Sequence, residues 1–143
     1  MIIKISIFLI FLTILIFFLL YKFYNNSGNI HKVYGKITNT DAEKIKGLMH
    51  RKDKLKYNEG MLFPMDYKHN SMWMKNTHIP LDVIFLDENM RILGYVVDTV
   101  PFSLKSISID KKSNNVLEMN GGSVDKFNKK IGDKIIFIEK NLS

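Results

Sequence analysis

The sequence of 143 residues contains no cysteine. This absence excludes disulfide bonds, thiolate metal sites, cysteine nucleophiles and a lipid attached to an N-terminal cysteine. Proline occurs three times and tryptophan once. The rest is ordinary for a globular protein, with 46% hydrophobic, 12% aromatic and 24% charged residues. These proportions exclude a wholly disordered chain, a collagen-like repeat and a polytopic membrane protein.

Arginine is scarce, because only Arg51 and Arg91 stand among the 21 basic residues. The formal net charge of +7 therefore comes from scattered lysines. Lys4 and Lys22 flank an apolar segment, and the remainder carries 19 basic and 14 acidic residues, a net charge of +5. Bidentate phosphate recognition prefers arginine. The charge predicts solubility or loose attraction to anionic lipid, and no nucleic-acid partner.

The long hydrophobic run lies at the N-terminus. Residues 5–21 are interrupted only by Ser6 and Thr13, and aromatic residues follow at positions 21, 23 and 24. A helix of this length spans about 25 Å, close to the thickness of a bilayer core. No small-residue cleavage site follows, so we expect an uncleaved signal anchor rather than a cleaved signal peptide. The prediction is one transmembrane helix over residues 1–24 that contacts a lipid bilayer through residues 5–24.

Two rules disagree on the orientation of that helix. Lys22, Lys32 and Lys36 outnumber Lys4, which favours a cytoplasmic C-terminal part. A short N-terminal tail before a first apolar helix is instead typical of exported chains. We expect a membrane-anchored domain on the periplasmic or extracellular side.

The residues after the anchor divide into a polar spacer at 25–31 and one globular β-rich domain at 32–140. Thr40 and Glu43 form a capping-box pattern, and apolar residues then recur at helical spacing, which predicts one amphipathic helix over 41–51. A short helix is expected after Gly121-Gly122, with Ser123 as its cap. Alternation and turn signals predict the remaining segments as strands at 31–37, 61–63, 71–77, 81–86, 91–98, 116–119 and 134–139.

Several short blocks occur in a fixed order along this domain. They are Gly47-Leu48-Met49-His50-Arg51, Glu59-Gly60-Met61-Leu62-Phe63, Trp73-Met74-Lys75-Asn76-Thr77, Ile79-Pro80-Leu81-Asp82-Val83-Ile84-Phe85, Val116-Leu117-Glu118, Gly121-Gly122 and Gly132-Asp133. In order and spacing they resemble the domain of unknown function 192 family over residues 33–138. The resemblance implies a mainly β fold of sandwich or jelly-roll type. It brings no established activity, and it implies an export signal or membrane anchor in many members.

The Trp73–Thr77 block is the leading candidate site. On a strand, Met72, Met74 and Asn76 would share one face and Trp73 and Lys75 the other. Asp82 lies in an apolar strand and needs a partner if it is buried. We expect Lys75, Asn76 and Asp82 to form a polar cluster. It could fix the turn at 77–80, bind a ligand, or supply a catalytic Lys75 or Asp82.

Two further charged residues belong to the same blocks. Glu118 lies between Leu117 and Met119, so its side chain faces away from both, either outward or into a pocket. Arg51 at a helix C-terminus would complement the helix dipole. The predicted binding or structural cluster therefore comprises Arg51, Trp73, Lys75, Asn76, Asp82 and Glu118.

A metal site is a weaker alternative. Thioether and imidazole groups suit Cu(I), and candidate ligands lie close in sequence at His69, Met72, Trp73 and Met74. Methionine is more commonly a core residue, and the four histidines are too dispersed for a zinc site. We therefore expect no cofactor.

No nucleophile elbow, zinc-protease motif or phosphate-binding loop is present. The sequence favours a membrane-tethered accessory domain that binds a ligand or partner. An enzyme acting near Lys75 and Asp82 and an exported copper-handling protein are the alternatives.

Overall fold

Eight strands and three helices make up the computed structural model, which describes residues 2–26 and 28–142, with side chains over 9–22 and 28–142. The helices are α1 (Ile2–Asn26), α2 (Asp41–Lys46) and α3 (Ser123–Lys126). The strands are β1 (Ile30–Ile37), β2 (Glu59–Lys68), β3 (Ser71–Met72), β4 (Leu81–Leu86), β5 (Ile92–Val96), β6 (Ile107–Ser108), β7 (Ser113–Asn120) and β8 (Lys134–Glu139).

Six strands form one mixed sheet in the order β5-β4-β7-β2-β1-β8, while β3 and β6 pair separately. Strand β1 runs parallel to both β2 and β8, and the other neighbours in the sheet are antiparallel. The sheet curls until its two edges meet at one end. There the Ile92 amide donates to the Asp133 carbonyl at 2.9 Å, and the Gly132 amide donates to the Ile92 carbonyl at 2.8 Å. The result is a half-barrel.

The inner face of the curl holds one hydrophobic cluster to which all six strands of the sheet contribute. Strand β4 supplies Ile84 and Leu86, and β7 supplies Leu117 and Met119. Val124 of α3 joins them. The cluster is completed by Val33, Leu62, Ile92 and Ile135.

A second cluster covers the outer face of the same sheet. Alternate residues of the strands, such as Phe63, Val83 and Phe85, pack against two groups of covering residues. Leu48, Leu55, Met74 and Ile79 come from turns and loops, and Ile107 comes from β6. Turns, loops and the short β3–β6 pair therefore cover this face, where a sandwich would place a full second sheet. The chain is mainly β, but the predicted sandwich or jelly-roll architecture is wrong.

Three predicted elements are shorter than expected, one of them the strand over 91–98, which spans Ile92–Val96. The helix over 41–51 ends at Lys46, because Gly47 adopts φ 46° and turns the chain, and no residue of α2 is buried. Leu48 is buried from the turn that follows the helix. The strand over 71–77 ends at Met72, because residues 73–80 form a loop in which Asn76 has φ 54°. The capping box of Thr40 and Glu43 is confirmed.

Helix α1 precedes the half-barrel, and its residues 9–22 are all exposed. Within the residues that the structure describes, no helix has a stretch both long and apolar enough to cross a bilayer. The predicted single transmembrane helix is therefore wrong. Contact of residues 5–24 with lipid, export of the domain and the boundaries 1–24, 25–31 and 32–140 are not tested by the fold and stay predictions.

The parallel contact between β1 and β2 requires a glycine. Gly35 lies opposite Gly60, and a Cβ at Gly35 would overlap the Gly60 carbonyl oxygen. We expect Gly35→Ala to lower the free energy of unfolding by about 3 kcal/mol or more, since the ladder must shift. Urea unfolding measures this change. Gly132→Ala is the control, because Gly132 also has positive φ but faces open space. Equal losses for both variants would show that no overlap is involved.

Candidate ligand-binding cleft around Glu118

Glu118 is placed by the central strands of the sheet. In β7 it lies opposite Met61 of β2 and Val83 of β4. Because side chains alternate along a strand, Glu118 faces the outer cluster while Leu117 and Met119 face the inner one. Its side chain is buried, with 4% of the residue exposed. A carboxyl group therefore lies under the irregular segments that cover the sheet.

A narrow opening leads to this carboxyl group, and we call it the Glu118 cleft. Its volume of about 20 Å³ has room for about one water molecule. Gly47 forms part of the wall, and a Cβ there would lie 3.3 Å from the Phe63 ring and 3.9 Å from Glu118 Oε2. The cleft is lined by residues 44–49, Phe63, Met72, Trp73, Thr77 and Glu118.

Burial controls the ionisation of Glu118. Desolvation raises the pKa of its carboxyl group from the ordinary 4.5 to about 8. Among the described residues, no hydrogen-bond donor or cation counteracts this effect. The group is therefore mainly protonated and neutral at pH 7, and it can both donate and accept a hydrogen bond.

The loop at 73–80 forms the rim of the cleft and is held at several points. The Met74 amide donates to the Ser103 carbonyl at 2.9 Å, and the Phe102 amide donates to the Thr77 carbonyl at 3.1 Å. The Met74 side chain anchors the loop in the outer cluster. These contacts fix the backbone on either side of the rim residues.

Trp73 stands on this rim with 47% of its surface exposed. Lys75 places its Nζ 5.1 Å from the centre of the Trp73 ring, within cation–π range. A second depression of about 180 Å³ lies against Trp73, and we call it the Trp73 shelf. Since Met72 and Trp73 line both hollows, the two adjoin at these residues. The shelf is lined by Ser71, Met72, Trp73, Leu104 and Ser106.

Asp82 belongs to a different environment from Lys75. It lies opposite Met119 in the ladder and thus on the inner face. Its carboxylate accepts hydrogen bonds from the backbone amides of Asp98 (2.9 Å), Gly122 (3.1 Å) and Val124 (2.7 Å). Gly122, not Ser123, is the N-cap of α3, and Asp82 takes the place of a capping side chain. The geometry gives Asp82 a structural task away from the cleft.

The six residues of the predicted cluster are thus divided. Trp73 and Glu118 line one cleft, and Lys75 lies over the Trp73 ring. The Asn76 carbonyl accepts a hydrogen bond from the His50 amide at 2.8 Å. The Arg51 Nε donates to the Asp53 carbonyl at 2.8 Å, close to the end of the turn after α2. Whether any of these residues has a functional role is a separate matter that stays a prediction.

The copper alternative involves residues in unlike environments. Met74 is fully buried, and its sulfur lies 3.1 Å from the Thr99 hydroxyl. His69 and Trp73 are exposed, and Met72 is half-buried. Over the described part of the chain, no three His, Asp or Glu side chains gather as a metal site would require. Binding of copper by the methionines stays a prediction.

Sequence reasoning missed three buried ionisable residues. Glu59 begins β2, and its carboxylate lies 2.9 Å from the Lys140 Nζ. The Asp133 carboxylate lies 2.7 Å from His31 Nε2. Lys129 is 3% exposed, with its Nζ 4.1 Å from the Phe127 ring centre. Their partners are distant in sequence, and Lys129 lies in a stretch that looks solvent-facing, so no local pattern marked them.

The fold and the cleft together define a half-barrel domain with a small polar hollow beside an exposed tryptophan. A family model described as an uncharacterised ACR, DUF192, matches residues 23–137. The chain belongs to this family. It matches no curated protein.

Two solved structures are similar to the chain. One, from Novosphingobium aromaticivorans DSM 12444, is a protein of unknown function with 34% identity and a TM-score of 0.63, over 73% of this chain and 71% of that one. The other, from Sinorhizobium meliloti 1021, is described as a candidate transcription regulator. It shares 29% identity, with a TM-score of 0.62 over 72% of this chain and 76% of that one.

The raised pKa of Glu118 predicts that the free energy of unfolding depends on pH. The folded state retains a proton that the unfolded state loses, so stability falls as pH rises from about 4.5 to about 8. Glu118→Gln removes the ionisation. We expect its free energy of unfolding, relative to the wild type, to rise by about 3 kcal/mol between pH 5 and pH 8.5.

Urea unfolding at the two pH values measures that difference. Glu139→Gln, at an exposed glutamate of β8, is the matched control and should leave the pH dependence unchanged. A constant difference between Glu118→Gln and the wild type at both pH values would contradict the raised pKa.

Asp82 and Lys75 should respond differently to truncation. Asp82→Ala leaves three amides without their acceptor and should cost roughly 3 kcal/mol or more. Lys75→Ala, at an exposed side chain, should change stability by about 0.5 kcal/mol or less. Asp87→Ala is the control for Asp82, because Asp87 accepts from two amides in an exposed turn. Thermal unfolding compares the three variants. Equal losses of stability for Asp82→Ala and Lys75→Ala would indicate that the two side chains belong to one cluster.

Proposed function

We propose that this domain is a ligand-binding module whose site is the Glu118 cleft together with Trp73. The observation that carries the proposal is a buried carboxyl group that faces an opening and has no partner among the described residues. The opening has room for about one water molecule, so a carboxyl group there keeps few of the hydrogen bonds that it would make in bulk water. A ligand that fills the opening would supply the missing hydrogen bonds.

The surroundings of Glu118 suit recognition. Ligand sites are mostly apolar and aromatic hollows with a few fixed polar groups. Phe63, Met72 and Trp73 supply the apolar wall, and Glu118 and Thr77 supply polar atoms. The described lining contains no histidine and no second carboxylate. Binding is therefore better supported than acid–base catalysis, which needs a partner group for Glu118.

Trp73 offers a direct test, because it is the only tryptophan of the chain. Titrating the domain with sugars, amino acids, amines and nucleosides to about 10 mM should give a saturable change in tryptophan fluorescence with at least one class. The same compound should raise the melting temperature of the wild type.

Specificity is judged with two variants. Glu118→Leu should abolish the thermal shift, whereas Glu139→Gln, at an exposed position, should leave it intact. If no class of compound saturates, or if Glu118→Leu binds as the wild type does, the cleft is not a ligand site and the proposal is wrong.

A further inference from the structure

We propose that the ligand of the Glu118 cleft is a short glycan without cationic groups that inserts one hydroxyl group beside Glu118 and lays a sugar ring across Trp73 onto the Trp73 shelf. This inference rests on the proposed function, and it adds the chemical class of the ligand. It is carried by the size of the two hollows, the charge around them and the position of Trp73.

Size limits what can reach Glu118. The volume of about 20 Å³ admits a single small polar group and no ring. The Trp73 shelf, at about 180 Å³, is large enough for one six-membered ring. A molecule that fits both hollows has a ring-sized body and a small polar group that projects from it. A sugar ring with its hydroxyl groups has this shape.

Charge around the cleft disfavours a cationic ligand. Lys44 and Lys46 line the opening, and Lys75 lies over the Trp73 ring. Glu118 is the single carboxylate in the described lining, and its protonated form offers no negative charge. An ammonium group would meet three lysines and a neutral acid. A hydroxyl group meets no such repulsion, and it can donate to one carboxyl oxygen while it accepts from the other.

Trp73 supplies the surface that a sugar ring needs. Its indole is half exposed, and Lys75 Nζ lies over one face of the ring, so a sugar ring would pack on the indole surface that Lys75 leaves open. The C–H groups on one face of a sugar pack on an aromatic ring, while the hydroxyl groups at the edge bond to polar neighbours. Ser71 and Ser106 place hydroxyl groups on the Trp73 shelf, and Leu104 adds apolar contact. The shelf therefore combines an aromatic face with a polar edge.

Calorimetric titration of the domain tests the proposal with defined probes. Maltotetraose, cellotetraose and tetra-N-acetylchitotetraose are the neutral glycans, glucose is the single-ring probe, and butylammonium is the cationic probe. We expect at least one tetrasaccharide to bind with a Kd of about 1 mM or tighter, and glucose to bind about fivefold or more weakly. Butylammonium should not bind.

Three variants test whether binding depends on Glu118 and Trp73 in the way that a glycan requires. Glu118→Gln keeps a neutral group that donates and accepts, so glycan affinity should stay within about threefold of the wild type. Glu118→Leu, which removes both functions, should weaken binding about tenfold or more, as should Trp73→Ala, which removes the exposed ring without touching the core. Lys52→Ala, at an exposed lysine outside the described lining, is the control and should bind as the wild type does.

The outcomes distinguish a wrong ligand class from a wrong binding site. Binding of butylammonium that Glu118→Gln abolishes, with no tetrasaccharide bound, would overturn the glycan and leave the site. Tetrasaccharide binding that Trp73→Ala does not weaken would also overturn this inference. If Glu118→Leu does not fold, Glu118→Gln and Trp73→Ala still decide the question. If no probe binds and no compound class perturbs Trp73, the proposed function itself fails.

Discussion

The constraint on which the rest of the structure depends is that the central strands are buried on both faces. All six residues of β4 are buried, and β7 is buried from Val116 to Met119. A curled sheet can enclose its own inner face, but its outer face needs a separate cover. This chain provides that cover with turns, loops and the short strand β6 within residues 47–55, 73–80 and 99–109, which pack Leu48, Met74 and Ile107 onto the sheet. Irregular chain fills a surface less completely than a second sheet would, and the seam between two covering segments is the opening above Glu118.

Two buried carboxyl groups in adjacent strands differ in their hydrogen-bond partners. Asp82 and Glu118 are both nearly inaccessible to solvent. Asp82 receives three backbone amides, which replace the hydrogen bonds that it loses to water. Glu118 receives none among the described residues and takes up a proton instead. The first arrangement is what a structural role requires. The second leaves Glu118 with a desolvation cost that no contact among the described residues offsets.

Local signals predicted much of the fold, and long-range contacts decided the rest. Three elements could be predicted because they depend on residues close together in sequence. They are the capping box at Thr40, the apolar strand β4 and the final strand. The architecture depends on β1 pairing with β8 across about a hundred residues, which no local pattern encodes. Side-chain alternation correctly predicted that Glu118 faces away from Leu117 and Met119. The same rule failed at Trp73, because strand β3 ends at Met72. The direction of a side chain in the loop at 73–80 is determined by the contacts that hold the loop. Asp82 was expected to pair with Lys75 and Asn76 because a buried carboxylate needs a partner, but the register turns it to the inner face, where backbone amides are its partners.

Lys129 shows that the inner face also contains a costly ionisable group. Burial lowers the pKa of its ammonium from 10.5 to about 8, and Asp82 and Asp133 only partly oppose that effect. The folded state therefore disfavours the charged lysine, and this cost is fully present below pH 8 and is relieved only as pH rises toward 10.5. The cost of Glu118 runs the other way, since it grows from about pH 4.5 and is complete near pH 8. The two costs are thus largest together near pH 8, one on each face of the same sheet. Satisfying Glu118 from outside would relieve one of them without disturbing the Asp82 network that closes the other face.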